Sequence, residues 1–281
     1  MRFSKPVSEV MEMPSLSIDE RGQQNPKSII FLHASGSSSQ MWQHHVAALE
    51  QDFHCILVDL PGHGASRDIE WTNFDDVVEM IVAVIKSKAH GKPHLVGLSL
   101  GGSLILKLLE QHSSLIDKVI VDGASPQPIK GYRKIIAIVY LMSFLKNTKF
   151  VANLLTKMMQ EDGAPVQDVQ CFVADFQRAE RRSCRRAMSQ ANLLRLDLQF
   201  DNPAFFVSGG KEAETIRTEA ATEAELARKK GFADVEHERK VLADTMKQKV
   251  LDVALKMNEK LFGKNEANEQ FLKNSHKDIN F

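Results

Sequence analysis

The chain of 281 residues has little of several things, and each shortage excludes something. It has three cysteines, Cys55, Cys171 and Cys184, odd in number and widely spaced. They make neither a disulfide framework nor a zinc pattern. It has no net charge, with 36 basic against 36 acidic residues. A neutral chain lacks the electrostatic footprint of a general nucleic-acid binder. No apolar run is long enough to span a bilayer as a helix, Ile135 to Leu145 being the longest. Stable membrane insertion is therefore not expected. Residues 1–22 show no apolar stretch of the kind a secretory signal needs, so the expected location is cytoplasmic. No proline follows Pro203, and residues 211–281 hold 14 basic and 14 acidic side chains, a charge density nearly twice that of the preceding 210. Apolar residues at 43% and charged residues at 26% otherwise fit a globular protein.

What is present alternates. Between Lys27 and Ser125, short apolar runs at Ser28–His33, Cys55–Leu60, His94–Leu98 and Lys118–Asp122 read as buried strands. Helical spacing separates them at Met41–Glu50, Phe74–Lys88 and Leu100–His112. Continuous apolar strands alternating with helices imply a parallel sheet covered on both faces, a doubly wound α/β core. From Gly131 to Leu198 the alternation stops and helical segments follow, at Ile135–Leu145, Phe150–Met159 and Val166–Met188. A strand pattern returns at Asn202–Ser208. The simplest organisation is a core in two parts, residues 1–130 and 201–263, with a helical cap at 131–200 between them and a polar tail at 264–281. In the second part, helices are expected at about 214–230 and 238–262.

The strongest chemical signal is Gly97-Leu98-Ser99-Leu100-Gly101, followed by Gly102, where a strand ends and a helix begins. That is the context of a nucleophile elbow. Glycines on both sides let the turn tighten, leaving Ser99 at the apex with its hydroxyl exposed. The N–H of Leu100, at the helix N-terminus, can face a developing oxyanion. The loop His33-Ala34-Ser35-Gly36-Ser37-Ser38-Ser39, directly after the first of these strands, can set the N–H of Ser35 opposite that of Leu100. His33 suits the role of holding this loop better than that of a base. Asp59-Leu60-Pro61-Gly62-His63-Gly64-Ala65-Ser66 reads as a tight strand exit with a role in loop geometry.

The order FLHASGSSSQMW, VDLPGHGAS, LVGLSLGG, a cap, and a strand ending in SGGKE resembles the α/β-hydrolase superfamily. The likeness is specific over about residues 27–125 and continues in order to about 214. It points to the small esterase, lipase-like and peptidase-like members with a helical cap. It implies an eight-stranded, mostly parallel sheet, no cofactor, and a serine, acid, histidine triad in that chain order. By resemblance Ser99 is the nucleophile and Ser35 and Leu100 supply the oxyanion amides. The acid follows the last strand, with Glu212 the first match, Glu214 the second, and Asp122 at the end of the preceding strand a third candidate. Only His237 and His276 follow the acid, and His237 sits where the family places its base. The segment around it, Val235–Lys240, lacks the glycine and apolar strand that usually lead into that histidine.

The expected function is cleavage of a carboxylic ester or related acyl bond through an acyl-enzyme, on a small and apolar acyl substrate. The competing reading is a hydrolase-like binding or scaffolding protein that lacks a base. In the cap, Ile135–Leu145 with Phe150, Leu154, Leu155 and Met158 fits either an acyl pocket or ordinary packing on the core. The cluster Arg181, Arg182, Arg185 and Arg186 fits a solvated surface or the steering of acidic substrates. The sequence fixes no oligomeric state.

Overall fold

A computed structural model describes residues 14–128, 131–161 and 163–207. Six strands form one sheet among these residues: β1 (Ile18–Arg21), β2 (Ser28–Leu32), β3 (His54–Val58), β4 (His94–Leu98), β5 (Val119–Asp122) and β6 (Ala204–Val207). Their spatial order is β1-β3-β2-β4-β5-β6. All neighbours are parallel except β1, which pairs antiparallel to β3 with Ile18 opposite Val58. The helices of the core are α1 (Gln43–Leu49), α2 (Phe74–Lys88) and α3 (Leu100–His112).

Strand periodicity explains the two-sided cover. On β2 and β3, Ile30, Leu32, Ile56 and Val58 face the large cluster that holds Val77, Ile81, Leu104 and Leu108 of α2 and α3. The alternate residues Ile29, Phe31, Cys55 and Leu57 face Trp42, which precedes α1, and Val46 within it. Both strands are buried along their whole length, hence the unbroken apolar runs. Helix α2 shows how local signals set an element's ends. The Asn73 side chain accepts the N–H of Asp76, Asp75 and Asp76 occupy the first turn, and Lys86 and Lys88 the last. Such a cap is worth about 1 kcal/mol, and each charge favours its end of the helix dipole.

Four helices stand between β5 and β6: α4 (Tyr132–Leu145), α5 (Lys149–Glu161), α6 (Val166–Arg178) and α7 (Arg181–Leu193). The single helix expected over Val166–Met188 is in fact two. At Ala179 the backbone turns extended, with φ −53° and ψ 143°. Glu180 then caps the new helix, its carboxylate accepting the N–H groups of Arg182 and Ser183. The break is fixed from below: Lys146 donates to the carbonyls of Gln177 and Ala179, a cation at the end of α6 where carbonyls lack partners.

Candidate active site

The strand order reverses direction at the boundary between β2 and β4. The chain runs from β2 outward to β3, then crosses back to β4 on the other side of β2. In open parallel sheets ligands bind beyond the strand ends at such a switch point. The segments leaving β2 and β4 there are His33–Ser38 and the turn at Ser99, side by side because Leu32 pairs with Gly97.

Ser99 has φ 52° and ψ −105° and is the only non-glycine residue with positive φ among the described residues. Holding a serine there costs of order 1–3 kcal/mol. The turn is locked by two main-chain bonds: the Ser99 N–H donates to the Asp122 carbonyl at 2.7 Å, and the Ser103 N–H to the Ser99 carbonyl at 2.9 Å. The flanking glycines are required by space. A Cβ on Gly97 would lie 2.5 Å from the Gly101 carbonyl carbon, and one on Gly101 would lie 2.1 Å from the Leu32 carbonyl oxygen. The first turn of α3 thus rests on the end of β2. Leu100 is its first residue, where backbone N–H groups have no intrahelical acceptor. Such an N–H at the positive end of a helix dipole suits a developing negative oxygen.

The loop after β2 is held from several sides. His33 is fully buried, accepts the Leu60 N–H on Nε2 at 2.9 Å, and donates from Nδ1 to the Ala34 carbonyl at 2.8 Å. Burial holds its pKa below the ordinary value. With both nitrogens engaged it is a neutral strut between two loops. Asp59 bridges the same pair of loops: Oδ1 accepts the Ser39 N–H at 2.7 Å and Oδ2 the Ala65 N–H at 2.8 Å. Gly64 stands so close to this carboxylate that a Cβ would lie 2.3 Å from it.

The inserted helices press on these loops. Asp175 of α6 accepts the Ser38 hydroxyl at 2.5 Å, and a Cβ on Gly36 would lie 2.6 Å from the Phe176 ring. On α7, Ser183 accepts the Trp71 N–H at 3.1 Å. The Glu180 N–H donates to the Gly62 carbonyl at 2.7 Å. Cys184 of α7 donates its thiol proton to Nε2 of buried His63 at 3.2 Å, while Nδ1 of His63 donates to the Pro61 carbonyl at 2.9 Å. Burial, with His33 adding to it, pushes the His63 pKa down to about 3. Burial likewise pushes the Cys184 thiol up to about 12, although the Gly36 N–H bond favours its thiolate. This is a neutral histidine and a neutral thiol packed against the loop. No sequence signal joins residues so far apart, and the pair was not anticipated. Asp175 was likewise missed, because a carboxylate in an amphipathic helix reads as solvent-facing.

The candidates reach different ends. Ser35, Ser99, Leu100 and Asp122 all stand at the carboxyl ends of the parallel strands, Asp122 closing β5 beside Leu98. Glu212, Glu214, His237 and His276 lie outside the described residues, as do the helices and tail expected beyond Ser208. In the inserted helices, Ile138, Leu141, Phe144, Phe150 and Met158 are exposed, so they neither line a closed pocket nor pack on the core. The four arginines divide: Arg186 bonds Glu70 and the Trp71 carbonyl, Arg181 and Arg185 lie over aromatic rings, and Arg182 is solvated.

Comparison with known proteins agrees with this geometry. Residues 27–162 match the family model described as alpha/beta hydrolase fold. A putative 2-succinyl-6-hydroxy-2,4-cyclohexadiene-1-carboxylate synthase of Haemophilus influenzae is 41% identical over 101 residues, 34% of this chain and 40% of that protein. A pimeloyl-[acyl-carrier protein] methyl ester esterase of Nitrosomonas europaea is 32% identical over 114 residues, 41% of this chain and 43% of that one. The chain thus spans about two fifths of the length of these relatives. The crystal structure of an enol-lactonase from Burkholderia xenovorans superposes with a TM-score of 0.58 at 14% identity, covering 75% of this chain and 95% of that one.

Proposed function

We propose that this chain, an α/β hydrolase by its fold and by the family match of residues 27–162, is a serine hydrolase that cleaves a carboxylic ester or related acyl bond through an acyl-enzyme. The observation that carries the reading is the strained backbone of Ser99, held at the strand-to-helix turn of the sheet's switch point. Strain of this kind is maintained only where surrounding structure over-determines it, and it clusters at reactive residues. The similarity to enzymes named for ester and lactone chemistry supports the same reaction class.

In this reading the Ser99 hydroxyl oxygen attacks the substrate carbonyl carbon while His237 accepts its proton. The N–H groups of Leu100 and Ser35 stabilise the oxyanion. The imidazolium returns the proton to the departing alkoxide, leaving an acyl ester on Ser99. Water, deprotonated by the same imidazole, then releases the acid and restores the serine. Glu212 orients the imidazole, with Glu214 and Asp122 as alternates. The assignment of the base to the residues after Ser208 is supported by the engaged ring nitrogens of His33 and His63. The inserted helices serve as a cap over the site, and the substrate is a small apolar acyl compound.

The deciding experiment is labelling with a fluorophosphonate probe, located by peptide mapping, alongside turnover of a panel of short and medium acyl esters. Covalent modification at Ser99 with turnover abolished in Ser99→Ala is expected. His237→Ala is expected to lower turnover by about three orders of magnitude or more. A folded chain that neither labels nor turns over, yet is thermally stabilised by acyl ligands, would establish the binding-protein reading instead.

A further inference from the structure

Helices α4 and α5 carry a surface that the hydrolase reading does not use. Ile138, Leu141 and Phe144 fall at successive three-residue steps on α4, and Phe150 follows at the start of α5. Phe144 is 70% exposed and Phe150 69%, with Ile138 and Leu141 each at 61%. Single exposed apolar residues are ordinary. A run of large ones on two consecutive helices marks an interaction surface.

Charge identifies its partner. The chain as a whole is neutral, yet α4, α5 and the turn between them contain Arg133, Lys134, Lys146, Lys149 and Lys157 against a single carboxylate, Glu161 at the end of α5, which pairs with Lys157 at 3.7 Å. Lys146 is buried, and the other four are exposed. From α7, the Arg181 guanidinium lies 5.3 Å from the Phe144 ring centre and that of Arg185 lies 4.6 Å from the Tyr140 ring centre. Cations therefore border the apolar ridge directly. A second copy of this face would bring like charges together, which disfavours self-association through it. An anionic lipid surface satisfies both halves at once: headgroups for the lysines and arginines, and the acyl boundary for the phenylalanines. The 14 residues of α4 extend only about 21 Å, less than a bilayer core of about 30 Å. No described helix is long and apolar enough to cross a membrane. The geometry fits a helix lying in the interface plane.

We propose that the α4–α5 face is a peripheral docking surface for anionic lipid bilayers. It leads in with Phe144 and Phe150 and is held by Arg133, Lys134, Lys149 and Arg181.

The test is sedimentation of the full chain with vesicles of phosphatidylcholine alone or mixed with phosphatidylglycerol. Binding to the mixed vesicles is expected to exceed binding to phosphatidylcholine by about tenfold or more and to weaken as salt is added. Phe144→Ser and Phe150→Ser are each expected to lower it by about tenfold. Lys149→Gln is expected to lower it by about fivefold. These side chains are exposed, and circular dichroism checks that each variant is folded. Ser99→Ala should bind as the unaltered chain does, so failure of the hydrolase reading leaves this one intact. Absence of binding to the mixed vesicles at low salt overturns the proposal. So does equal binding to both vesicle types, or binding indifferent to both phenylalanine changes. A dimer in solution that Phe144→Ser dissociates, or binding to polyglutamate but not to vesicles, assigns the face to another occupant and also overturns it.

Discussion

The hydroxyl of Ser38 donates to the carboxylate of Asp175 at 2.5 Å, tying the loop after β2 to helix α6 across 137 residues of sequence. Both residues are buried. Burial raises the Asp175 pKa, while the Ser38 bond acts to lower it. The same Ser38 oxygen accepts the Gln40 N–H and so caps the turn that begins at Ser39. One hydroxyl therefore couples the placement of the inserted helices to the shape of the loop that carries Ser35.

Removing that hydroxyl leaves the carboxylate without its donor in a place poor in water. Ser38→Ala is expected to destabilise the chain by about 1–3 kcal/mol in urea unfolding. A double-mutant cycle with Asp175→Ala should return a coupling of about 1 kcal/mol or more. If the two changes simply add, the bond does not link the elements.

At Ser99 the strain predicts a trade between stability and chemistry. Ser99→Gly frees a residue held at φ 52° and is expected to raise stability by about 1 kcal/mol while abolishing labelling. Ser99→Ala, which keeps the Cβ, should abolish labelling without the gain. Equal melting temperatures for the two variants would count against a strained elbow.

Inside a helix, glycine to alanine ordinarily stabilises by about 1 kcal/mol. Gly101→Ala is expected to do the opposite, by about 2 kcal/mol or more, because its Cβ would lie 2.1 Å from the Leu32 carbonyl oxygen. Gly91→Ala is the control: nothing lies within 4 Å of the new Cβ, though φ is +72°. It should cost about 1 kcal/mol through backbone preference alone. Retention of full stability in Gly101→Ala would show that α3 can shift off the strand.

The buried imidazoles set an acid limit. Unfolded histidines take up protons below about 6.5, whereas His63 in the fold resists until about 3 and His33 is lowered in the same direction. The unfolded state then binds more protons, so stability is full above about 6.5 and is lost as the pH falls through that window. The His63 imidazole contributes a slope of about 1.4 kcal/mol per pH unit there, and His33 adds to it in the same direction. Cys184 sets the alkaline limit, since its thiol ionises near 9.0 when unfolded and at about 12 in the fold. Stability is then lost as the pH rises above 9. Unfolding midpoints from pH 4 to 10 should form a plateau with two falling shoulders, the acid one shallower in His63→Asn. A midpoint unchanged between pH 7 and pH 4.5 would refute the neutral, buried assignment.

Most of the parallel core was legible in advance because strands covered on both faces must be apolar throughout. His94–Leu98, Phe74–Lys88 and Leu100–His112 fall where the sequence placed them. Strand β1 was not legible. It is an edge strand of sequence IDER with partly exposed side chains, and charges on an edge guard it against further pairing while hiding its nature. The break at Ala179 was equally silent, since no glycine or proline marks it and the capping residue is a glutamate. At the site, the turn around Ser99 was readable because glycine spacing is a local signal. The Ser38–Asp175 and His63–Cys184 contacts were not, because each is created by the docking of distant helices. The expected acid and base fall outside the described residues.

Strands β1, β2 and β3 follow one another closely in the chain, but β6 must find β5 across all four inserted helices, Ala204 pairing with Val119. Closing so long a loop carries an entropic cost before its contacts repay it, and such non-local pairings slow folding. The turn at Ser99, built from β4, α3 and the ends of β2 and β5, draws these contacts from residues 32–122. In a chain made from its N-terminus, those residues emerge before the inserted helices and β6 do, so Ser99 can take its strained turn ahead of them.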